Sequence, residues 1–342
     1  MHATDDEHQE PELRPGPPWV MEDMIASEGA LPAEIAAAPG AAALAALLRA
    51  AAGEGRPILF TGCGTSEHTA RACAAIAAAT LPEADIAARD AFEVQLSPPS
   101  DALVVAVSHD GGTASTLATT ARAPAAALIT ARPGAQGDGV EPIVTPRHDE
   151  SWCHTVAYVS PMLTVALGLG AMTAEAAGGV VAAELGARPA RREAAERLGG
   201  AARLLAVGSG LDAITASELA LKIEEAAYVP TTPLGAEKIL HGHLPAADSS
   251  TGVVLLRFDP SSAAARDARA GNVAAATAVL AMPTVTLTPA APVSSVAAAL
   301  LAGALALQLL TLELAHVHGT NPDLIRREQD PYRDAAAAGA VG

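Results

Sequence analysis

Short apolar runs alternate with longer amphipathic stretches through the first half of the chain. The runs at residues 58–60, 85–88, 103–107 and 127–130 are separated by segments whose apolar residues recur at helical spacing, and three of the runs end in Gly, Ser or Asp. Such runs are typical of buried parallel strands connected by helices. Apolar positions in residues 19–52 predict helices ahead of the first strand. The pattern therefore predicts an α/β unit built on a parallel sheet.

The second half of the chain repeats this pattern. The stretch ARLLAVGSGLDAITASELALKI has a Gly-x-Gly turn beginning at Gly208, and RPILFTGCGTSEHTARACAAI has one beginning at Gly62, 146 residues earlier. Apolar residues 253–256 likewise follow residues 104–107 by 149 positions. Two such similar offsets indicate a duplicated α/β unit.

We therefore predict two similar domains. The first covers residues 19–190, including the N-terminal helices, and the second covers residues 191–332. An apolar helical stretch at residues 161–185 would bridge them, and its charge-poor run at residues 161–183 would bury an interface between subunits. Residues 1–18 are acidic and rich in proline, which predicts a disordered or loosely draped tail, and residues 333–342 are expected to be a flexible end.

Composition narrows the class of partner. The 342 residues carry 21 Lys and Arg against 38 Asp and Glu, and the formal net charge of -17 opposes binding to nucleic acid or to an anionic membrane surface. The three cysteines, Cys63, Cys73 and Cys153, are too few and too irregular for a disulfide framework, which favours a reducing compartment. We expect a cytoplasmic protein with a small-molecule ligand, no signal peptide and no membrane span.

The stretch TGCGTSEHTARA, which begins at Thr61, predicts a tight turn between a strand and a helix. Such a turn presents free backbone amides and the positive end of a helix dipole, which suits an anion. Glu67 stands where a dinucleotide fingerprint has its third glycine, so a pyrophosphate is disfavoured. The hydroxyls of Thr65 and Ser66 fit a monophosphate or a sugar hydroxyl. The alternative is a helix cap with no ligand.

The next strand ends in a second polar turn, VVAVSHDGGTASTLA. Ser108, Thr113 and the amides around residues 111–112 would lie beside the first turn, at the carboxyl edge of the sheet where open α/β folds bind ligands. The corresponding stretch of the second half, LLRFDPSSAAA, lacks the glycines. We therefore expect the first half alone to keep the pocket.

Four stretches together carry a family resemblance: GCGTS, the Ser-x-x-Gly-x-Thr run from Ser108 to Thr113, ALKIEEAAY and EKILHGH. In this order, between about Met21 and Tyr332, they resemble the double sugar isomerase (SIS) domain family. That family includes glucosamine-6-phosphate synthase, deaminases, fructosamine deglycases and phosphosugar isomerases. The resemblance implies two SIS domains, each a parallel sheet flanked by helices in a flavodoxin-like three-layer sandwich. The short N-terminal segment has no nucleophilic cysteine, so we expect no glutaminase activity.

The resemblance also implies roles for individual residues. The family base that moves a proton between C1 and C2 of the sugar corresponds to Glu225, with Lys222 one helical turn before it. The family's ring-opening histidine, donated across a dimer interface, corresponds to His241. Glu237, four residues earlier, would either brace that histidine or simply face water. The substrate-binding positions implied by the family match and its loops are Cys63, Gly64, Thr65, Ser66, Ser108, His109, Asp110, Thr113 and Thr155.

Two departures from the family concern the substrate. At the second turn the family has hydroxyl or amide residues after the serine, whereas this chain has His109 and Asp110. A carboxylate about 4 Å from a phosphate would cost on the order of 4 kcal/mol at an effective dielectric constant near 20. Either Asp110 points away, or His109 compensates, or the ligand carries an amine there or lacks the phosphate. Near the C-terminus, Arg326 or Arg327 would replace the active-site lysine of the synthase.

The same residues permit plainer interpretations. Glu224 and Glu225 would otherwise be a solvated helix face. The His-x-His pairs that begin at His241 and His316 have no thiolates nearby, so we expect no metal and no cofactor. The sequence thus predicts a homodimeric isomerase of an amino or keto sugar phosphate, with or without release of ammonia or an amine. The alternatives are a fructosamine-type deglycase and a non-catalytic module that senses a sugar phosphate.

Overall fold

The computed structural model describes residues 11–134 and 136–339. The first ten residues of the expected tail and the last three of the expected flexible end lie outside the described residues. Five parallel strands form the first sheet, in the order β2-β1-β3-β4-β5. Their bounds are β1 Ile58–Gly62, β2 Ile86–Asp90, β3 Leu103–Val107, β4 Ala125–Thr130 and β5 Val140–Val144.

Nine helices accompany this sheet or lead on from it. Three precede it, four connect or follow its strands, and two lead into the second half. They are α1 Val20–Ser27, α2 Leu31–Ala37, α3 Pro39–Gly53, α4 Thr65–Thr80, α5 Ala91–Leu96, α6 Ala114–Thr120, α7 Val156–Leu169, α8 Ala174–Gly186 and α9 Arg188–Leu198.

The second sheet has four parallel strands in the order β7-β6-β8-β9. Its strands are β6 Arg203–Val207, β7 Thr231–Leu234, β8 Thr251–Leu256 and β9 Thr284–Leu287. The helices of this half are α10 Leu211–Ala227, α11 Ala236–Lys238, a π-helical turn Ile239–His243, a 3-10 turn Leu244–Ala246, α12 Ala263–Val279, α13 Val296–His318 and α14 Asp330–Gly339. Helix α14, which covers the described part of the expected flexible end, has no buried residue.

Alternate strand residues face opposite helical layers, which makes the first unit a three-layer sandwich. Phe60 and Val105 pack into the main core with α3, α4 and α7, whereas Leu59 packs with Val94 of α5. Ala106 faces α6 on that second side. Because β1, β3 and most of β4 are buried on both faces, their sequences are continuous apolar runs. The predicted α/β fold class, with two parallel sheets flanked by helices, is confirmed.

The apolar stretch expected to bridge the two halves is two helices, because Gly170 ends α7 in the left-handed conformation. Nearly every residue of α7 is buried, and α7 packs on α3, α4 and α13 of its own chain. The expectation that this stretch forms a subunit interface is therefore wrong for α7, whose apolar surface is already covered.

Helix α13 is long and apolar enough to cross a membrane, but 89% of its most apolar window is buried inside the protein. Its Glu313 accepts hydrogen bonds from Arg188 at 2.6 Å and from Arg192 at 3.0 Å. A helix that packs on α8, α9 and α10 needs apolar residues on all sides. Helix α13 is therefore a core helix of the fold.

The segment after α13 meets the start of helix α1 at Asp323. This fully buried carboxylate accepts hydrogen bonds from the amides of Val20 at 2.8 Å and Met21 at 2.7 Å, and from the hydroxyl of Ser151 at 3.0 Å. A carboxylate at the N-terminus of α1 satisfies amides that have no partner within the helix. The segment after α13 is thereby fixed beside the first sheet.

Candidate functional site

A cleft of about 330 Å³ opens where the carboxyl ends of β1 and β3 approach α10 and the segment after α13. Five separate segments supply its walls, so the fold brings together residues that are distant in sequence. The lining residues are Cys63, Gly64, Thr65, Ser66, His109, Asp110, Thr113, Trp152, His154, Leu221, Glu225, Ile325 and Arg327.

The turn after β1 is shaped by two glycines. Gly64 has φ 57° and ψ −127°, a conformation open to glycine alone. A Cβ on Gly62 would lie 2.6 Å from the carbonyl of Ser66. Thr65 is the first residue of α4, so its amide has no partner within the helix. The turn therefore presents an amide and the helix dipole to the cleft.

The hydroxyl of Thr65 has a different use from the one expected. It donates to the buried carboxylate of Glu218 on α10, with an Oγ1 to Oε1 distance of 3.2 Å. The second turn has a hydroxyl relay, since Ser108 donates to Thr113 at 3.1 Å. Ser108 is buried behind the cleft wall and Thr113 lies on it. Thr113 thus keeps its own proton for a ligand.

One face of α10 carries three ionisable residues at helical spacing. Lys222 is fully buried and forms an ion pair with Glu225, and its Nζ lies 3.8 Å from Oε1 of Glu218. The side chain of Glu225 is 22% exposed and lines the cleft. Glu218 is fully buried and also pairs with Nδ1 of His68 at 2.7 Å. This face therefore joins the second half of the chain to the turn after β1.

Burial and charge act against each other on these groups. Burial raises the pKa of Glu225 above its usual range, although the neighbouring ammonium of Lys222 opposes the increase. Burial is the largest influence and would lower the pKa of Lys222, but the neighbouring acidic groups, Glu225 first among them, together outweigh it and raise that pKa, so the lysine stays charged. Glu225 is thus a stronger base than an ordinary glutamate and has a permanent cation beside it.

Asp110 lies on the opposite wall. Its Oδ1 is 2.6 Å from Nε2 of His148, which follows β5. Burial is the largest influence and would raise the pKa of Asp110, but the hydrogen bond from His148 and the neighbouring imidazoles together outweigh it and lower that pKa below its usual range. The structure therefore gives the carboxylate of Asp110 a partner, His148, that none of the four alternatives names.

Two further imidazoles lie beside this pair. The ring of His109 stacks on His148 with centroids 4.8 Å apart, and His154 lies 5.4 Å from His109. Burial lowers the pKa of His109 to about 3, and burial together with Lys222 lowers the pKa of His154 to about 4. Both rings are neutral at pH 7 and can exchange hydrogen bonds with a ligand.

Ligand atoms of His109, Asp110 and His148 lie within 4.8 Å of one another, a spacing that would suit a metal ion. The amide of Asp149, however, donates to Nε2 of His109 at 2.7 Å. The lone pair of that ring is therefore occupied, and its proton lies on Nδ1. This arrangement makes His109 a hydrogen-bond donor, so the cluster fits a hydrogen-bond network better than a set of three metal ligands.

Several predicted residues lie away from the cleft. Thr155 is fully buried, and its amide donates to Asp149 at 2.6 Å. His241 follows β7 with 71% of its side chain exposed, and its Nε2 is 2.8 Å from Glu237. Glu237 lines a second cleft, of about 210 Å³, at the edge of the second sheet. The structure does not bring these residues to the cleft of their own chain.

The two arginines near the C-terminus, Arg326 and Arg327, have different positions. The guanidinium of Arg326 lies over the rings of Tyr228, at 4.9 Å, and Tyr332, at 4.0 Å. Arg327 lines the cleft and lies over Trp152 at 5.0 Å. Arg327 is thus the cationic side chain among the lining residues of the described chain.

Comparison with known proteins agrees with this architecture. No protein-family model matches the sequence, and no curated protein matches it. Solved structures do share its α/β fold. The chain resembles the C-terminal domain of glucosamine-fructose-6-phosphate aminotransferase from Francisella tularensis, with a TM-score of 0.73 and 16% identity over 94% of this chain and 99% of that one.

Two further structures extend the comparison. Tagatose-6-phosphate ketose/aldose isomerase from Escherichia coli has a TM-score of 0.70 and 17% identity, over 90% of this chain and 95% of that one. Glucosamine-6-phosphate deaminase from Thermotoga maritima has a TM-score of 0.62 and 19% identity, over 78% of this chain and 88% of that one. At these identities the comparisons establish a shared fold.

Proposed function

We propose that this chain is a phosphosugar isomerase that interconverts the aldose and ketose forms of an amino or keto sugar phosphate. One observation carries the proposal: Glu225, a base with a raised pKa, lines the same cleft as the amide of Thr65 and the hydroxyl of Thr113. A sugar phosphate has a phosphate at one end and exchangeable hydrogen at the other. The cleft offers a group for each end.

The proposed chemistry is a proton transfer between neighbouring carbons. Glu225 would take the proton from C2 of an aldose, or from C1 of a ketose, and return it to the other carbon through an enediol, while the hydroxyl proton passes from the oxygen that becomes the carbonyl to the oxygen of the original carbonyl. Lys222 would keep a positive charge beside the base throughout. Arg327, Ser66 and the turn after β1 would hold the phosphate, and His154, which also lines the cleft, would bond a sugar hydroxyl.

The position of Glu225 favours an enzyme over a sensor. A module that senses a sugar phosphate needs the anion-binding turns but has no use for a charged pair of base and cation. In this chain the pair of Glu225 and Lys222 is joined through Glu218 to the turn itself. The ionised Asp110 on the cleft wall favours a ligand with an amine, so release of ammonia or a deglycase reaction is the second candidate.

We further propose that the active form is a cytoplasmic homodimer in which the partner supplies a histidine. His241 is exposed and lies outside the cleft of its own chain. A histidine in that position is free to reach the cleft of a second copy, where it would open the sugar ring. Glu237 would hold the imidazole in place.

The test of the base is hydrogen exchange at the substrate carbon. Glu225→Gln keeps the size of the side chain but removes its basicity, so exchange of the C2 hydrogen of a sugar phosphate with deuterated water should fall by roughly 10²–10⁴-fold. Glu224→Gln is the matched control, because Glu224 is the exposed neighbour on the same helix. Undiminished exchange in the Glu225 variant would refute the role of Glu225.

The test of the anion end uses a pair of ligands. Thr113→Ala should weaken binding of a phosphorylated sugar by about tenfold and leave the unphosphorylated parent nearly unaffected, since a hydrogen bond to a charged group is worth about 1.5–3 kcal/mol. Ser217→Ala is the control, because its hydroxyl donates to Ala213 within α10. Equal losses for both ligands would show that the turns hold another group.

A further inference from the structure

The duplicated halves have the same turn but use it differently. Gly64, before α4, has φ 57° and ψ −127°, and Gly210, before α10, has φ 65° and ψ −128°. Each turn directs the first amide of its helix, from Thr65 or Leu211, out of the end of the helix. The backbone thus builds two copies of one anion-binding geometry.

Strand register shows which residues face the two turns. In each sheet, the residue just before the first glycine of the turn pairs with a residue of the neighbouring strand. That neighbour is Ala106 in the first sheet and Leu255 in the second. Four residues further on are Asp110 and Asp259. The two aspartates therefore occupy equivalent positions in the two halves.

The backbone after each strand supports this equivalence. Two residues after Ala106, the amide of Ser108 donates to Ile129 of the neighbouring strand at 3.1 Å. Two residues after Leu255, the amide of Arg257 donates to Leu287 at 3.0 Å. The two segments of the chain thus keep the same register as they leave their sheets.

In the second half the aspartate fills the turn. Oδ2 of Asp259 accepts the amide of Leu211 at 2.8 Å and pairs with Arg266 at 2.6 Å. A Cβ on Gly210 would lie 2.6 Å from the same oxygen, which shows how closely the carboxylate sits on the turn. The chain therefore supplies its own anion at the N-terminus of α10.

In the first half the equivalent aspartate is engaged elsewhere. His148 holds Oδ1 of Asp110 at 2.6 Å, and the stack on His109 fixes the imidazole of His148 in turn. The segment after β5, which carries His148, has no counterpart in the four-stranded second sheet. Asp110 and Thr65 both line the cleft, so the aspartate is near the turn.

We infer that His148 is a positioning residue that keeps Asp110 off the turn at Thr65, and so keeps that turn open for the anionic group of the substrate. Without His148, Asp110 would cap α4 as Asp259 caps α10, and its charge would compete with the ligand. The inference rests on the proposed function for the identity of the ligand, but the movement of Asp110 does not depend on it.

The first measurement is therefore structural. In a crystal structure of unliganded His148→Ala, the carboxylate of Asp110 should lie within hydrogen-bond distance of the amide of Thr65. In His148→Gln, whose side-chain amide can still donate to Asp110, the carboxylate should stay where it is. If Asp110 remains away from the turn in His148→Ala, the inference is wrong, whatever the protein binds.

The second measurement is calorimetric binding of fructose 6-phosphate and of fructose. His148→Ala should lose about tenfold or more in affinity for the phosphorylated sugar, since a like charge then sits beside the phosphate. His148→Gln should stay within about threefold of the unmodified protein, and adding Asp110→Ser to His148→Ala should restore binding. A loss that Asp110→Ser does not restore would indicate a structural role for His148. Failure of the unmodified protein to prefer the phosphorylated sugar would instead count against the proposed function.

Discussion

Thr65 Oγ1 donates a hydrogen bond to Oε1 of Glu218 at 3.2 Å, which joins the first residue of α4 to the middle of α10. The same carboxylate lies 3.8 Å from Nζ of Lys222, the partner of Glu225. A single buried carboxylate thus contacts both the turn that would bind the phosphate and the cation beside the base.

The first prediction concerns the pH dependence of the reaction. The negative charge of Glu218 contributes to the raised pKa of Glu225. Glu218→Gln removes this charge and leaves Lys222 to Glu225 alone, so the pKa of Glu225 should fall. A base works in its ionised form, and the acidic limb of kcat/KM against pH should therefore move to lower pH. Glu224→Gln should leave the limb in place, and a shift to higher pH in Glu218→Gln would contradict the assignment.

The second prediction assigns different roles to the two arginines near the C-terminus. Arg327→Ala should raise KM for a phosphorylated substrate by about tenfold or more, because a charge-assisted hydrogen bond is lost. Arg326→Ala should act on stability instead, lowering the free energy of unfolding by about 1 kcal/mol through loss of the stack between Tyr228 and Tyr332. Steady-state kinetics and urea unfolding of both variants check this. A larger rise in KM for the Arg326 variant would reverse the assignment.

The third prediction concerns stability in acid. The pKa of His109 is lowered from 6.5 to about 3, so between these values the unfolded chain binds a proton that the folded chain does not. Above about pH 6.5 this difference in proton binding has no effect on the free energy of unfolding. Below that pH it lowers the free energy of unfolding by up to about 1.4 kcal/mol per pH unit as the pH decreases towards 3.

His109→Gln, whose side-chain oxygen can still accept the amide of Asp149, should therefore lose less stability between about pH 7 and about pH 5 than the unmodified protein. Urea unfolding at both pH values gives the comparison. His243→Gln, at an exposed site, is the control for the loss of a histidine outside the cleft. An equal slope in the His109 variant would show that this ring is not buried in its neutral form.

The fourth prediction concerns assembly. Glu225→Gln and His241→Asn should each inactivate a homodimer, but a mixed dimer should regain activity, since one of its two clefts would have both an intact base and an intact histidine. Differently tagged subunits allow the mixed dimer to be purified and assayed. An inactive, verified mixed dimer would place both residues in the cleft of the same chain, whereas an active His241→Asn homodimer would remove His241 from the reaction.

Much of the fold can be predicted from sequence because parallel strands buried on both faces are continuous apolar runs. Strands β1, β3 and β4 have this form, and the repeat of the Gly-x-Gly turn predicts the second unit. The edge strand β5 gives no such signal, because its residues 141 and 142 are exposed and one of them is a proline. The segment that follows β5 was therefore not recognised as part of the cleft.

The unpredicted residues of the site fall into two kinds. Glu218 could have been found, since it lies four residues before Lys222 and seven before Glu225 and so shares their helix face. His148, Trp152 and His154 could not, because no periodic pattern fixes the direction of side chains in the irregular segment between β5 and α7.

The sequence also cannot predict which of the two arginines near the C-terminus faces the cleft. Ile325 and Arg326 both have positive φ values, 43° and 68°, which are uncommon for residues other than glycine. Two such residues in succession redirect the chain, so neither helical nor strand spacing indicates which arginine faces the cleft.

The contact of Asp323 with the first helix has a consequence for synthesis on the ribosome. Helix α1 leaves the ribosome early, but the carboxylate that satisfies its leading amides is made about 303 residues after Val20. Until then those amides must remain bonded to water. The segment that delivers Asp323 also brings Ile325 and Arg327 to the cleft. A nascent chain can therefore fold its first sheet long before it has a finished cleft, and ligand cannot guide the early steps of its folding.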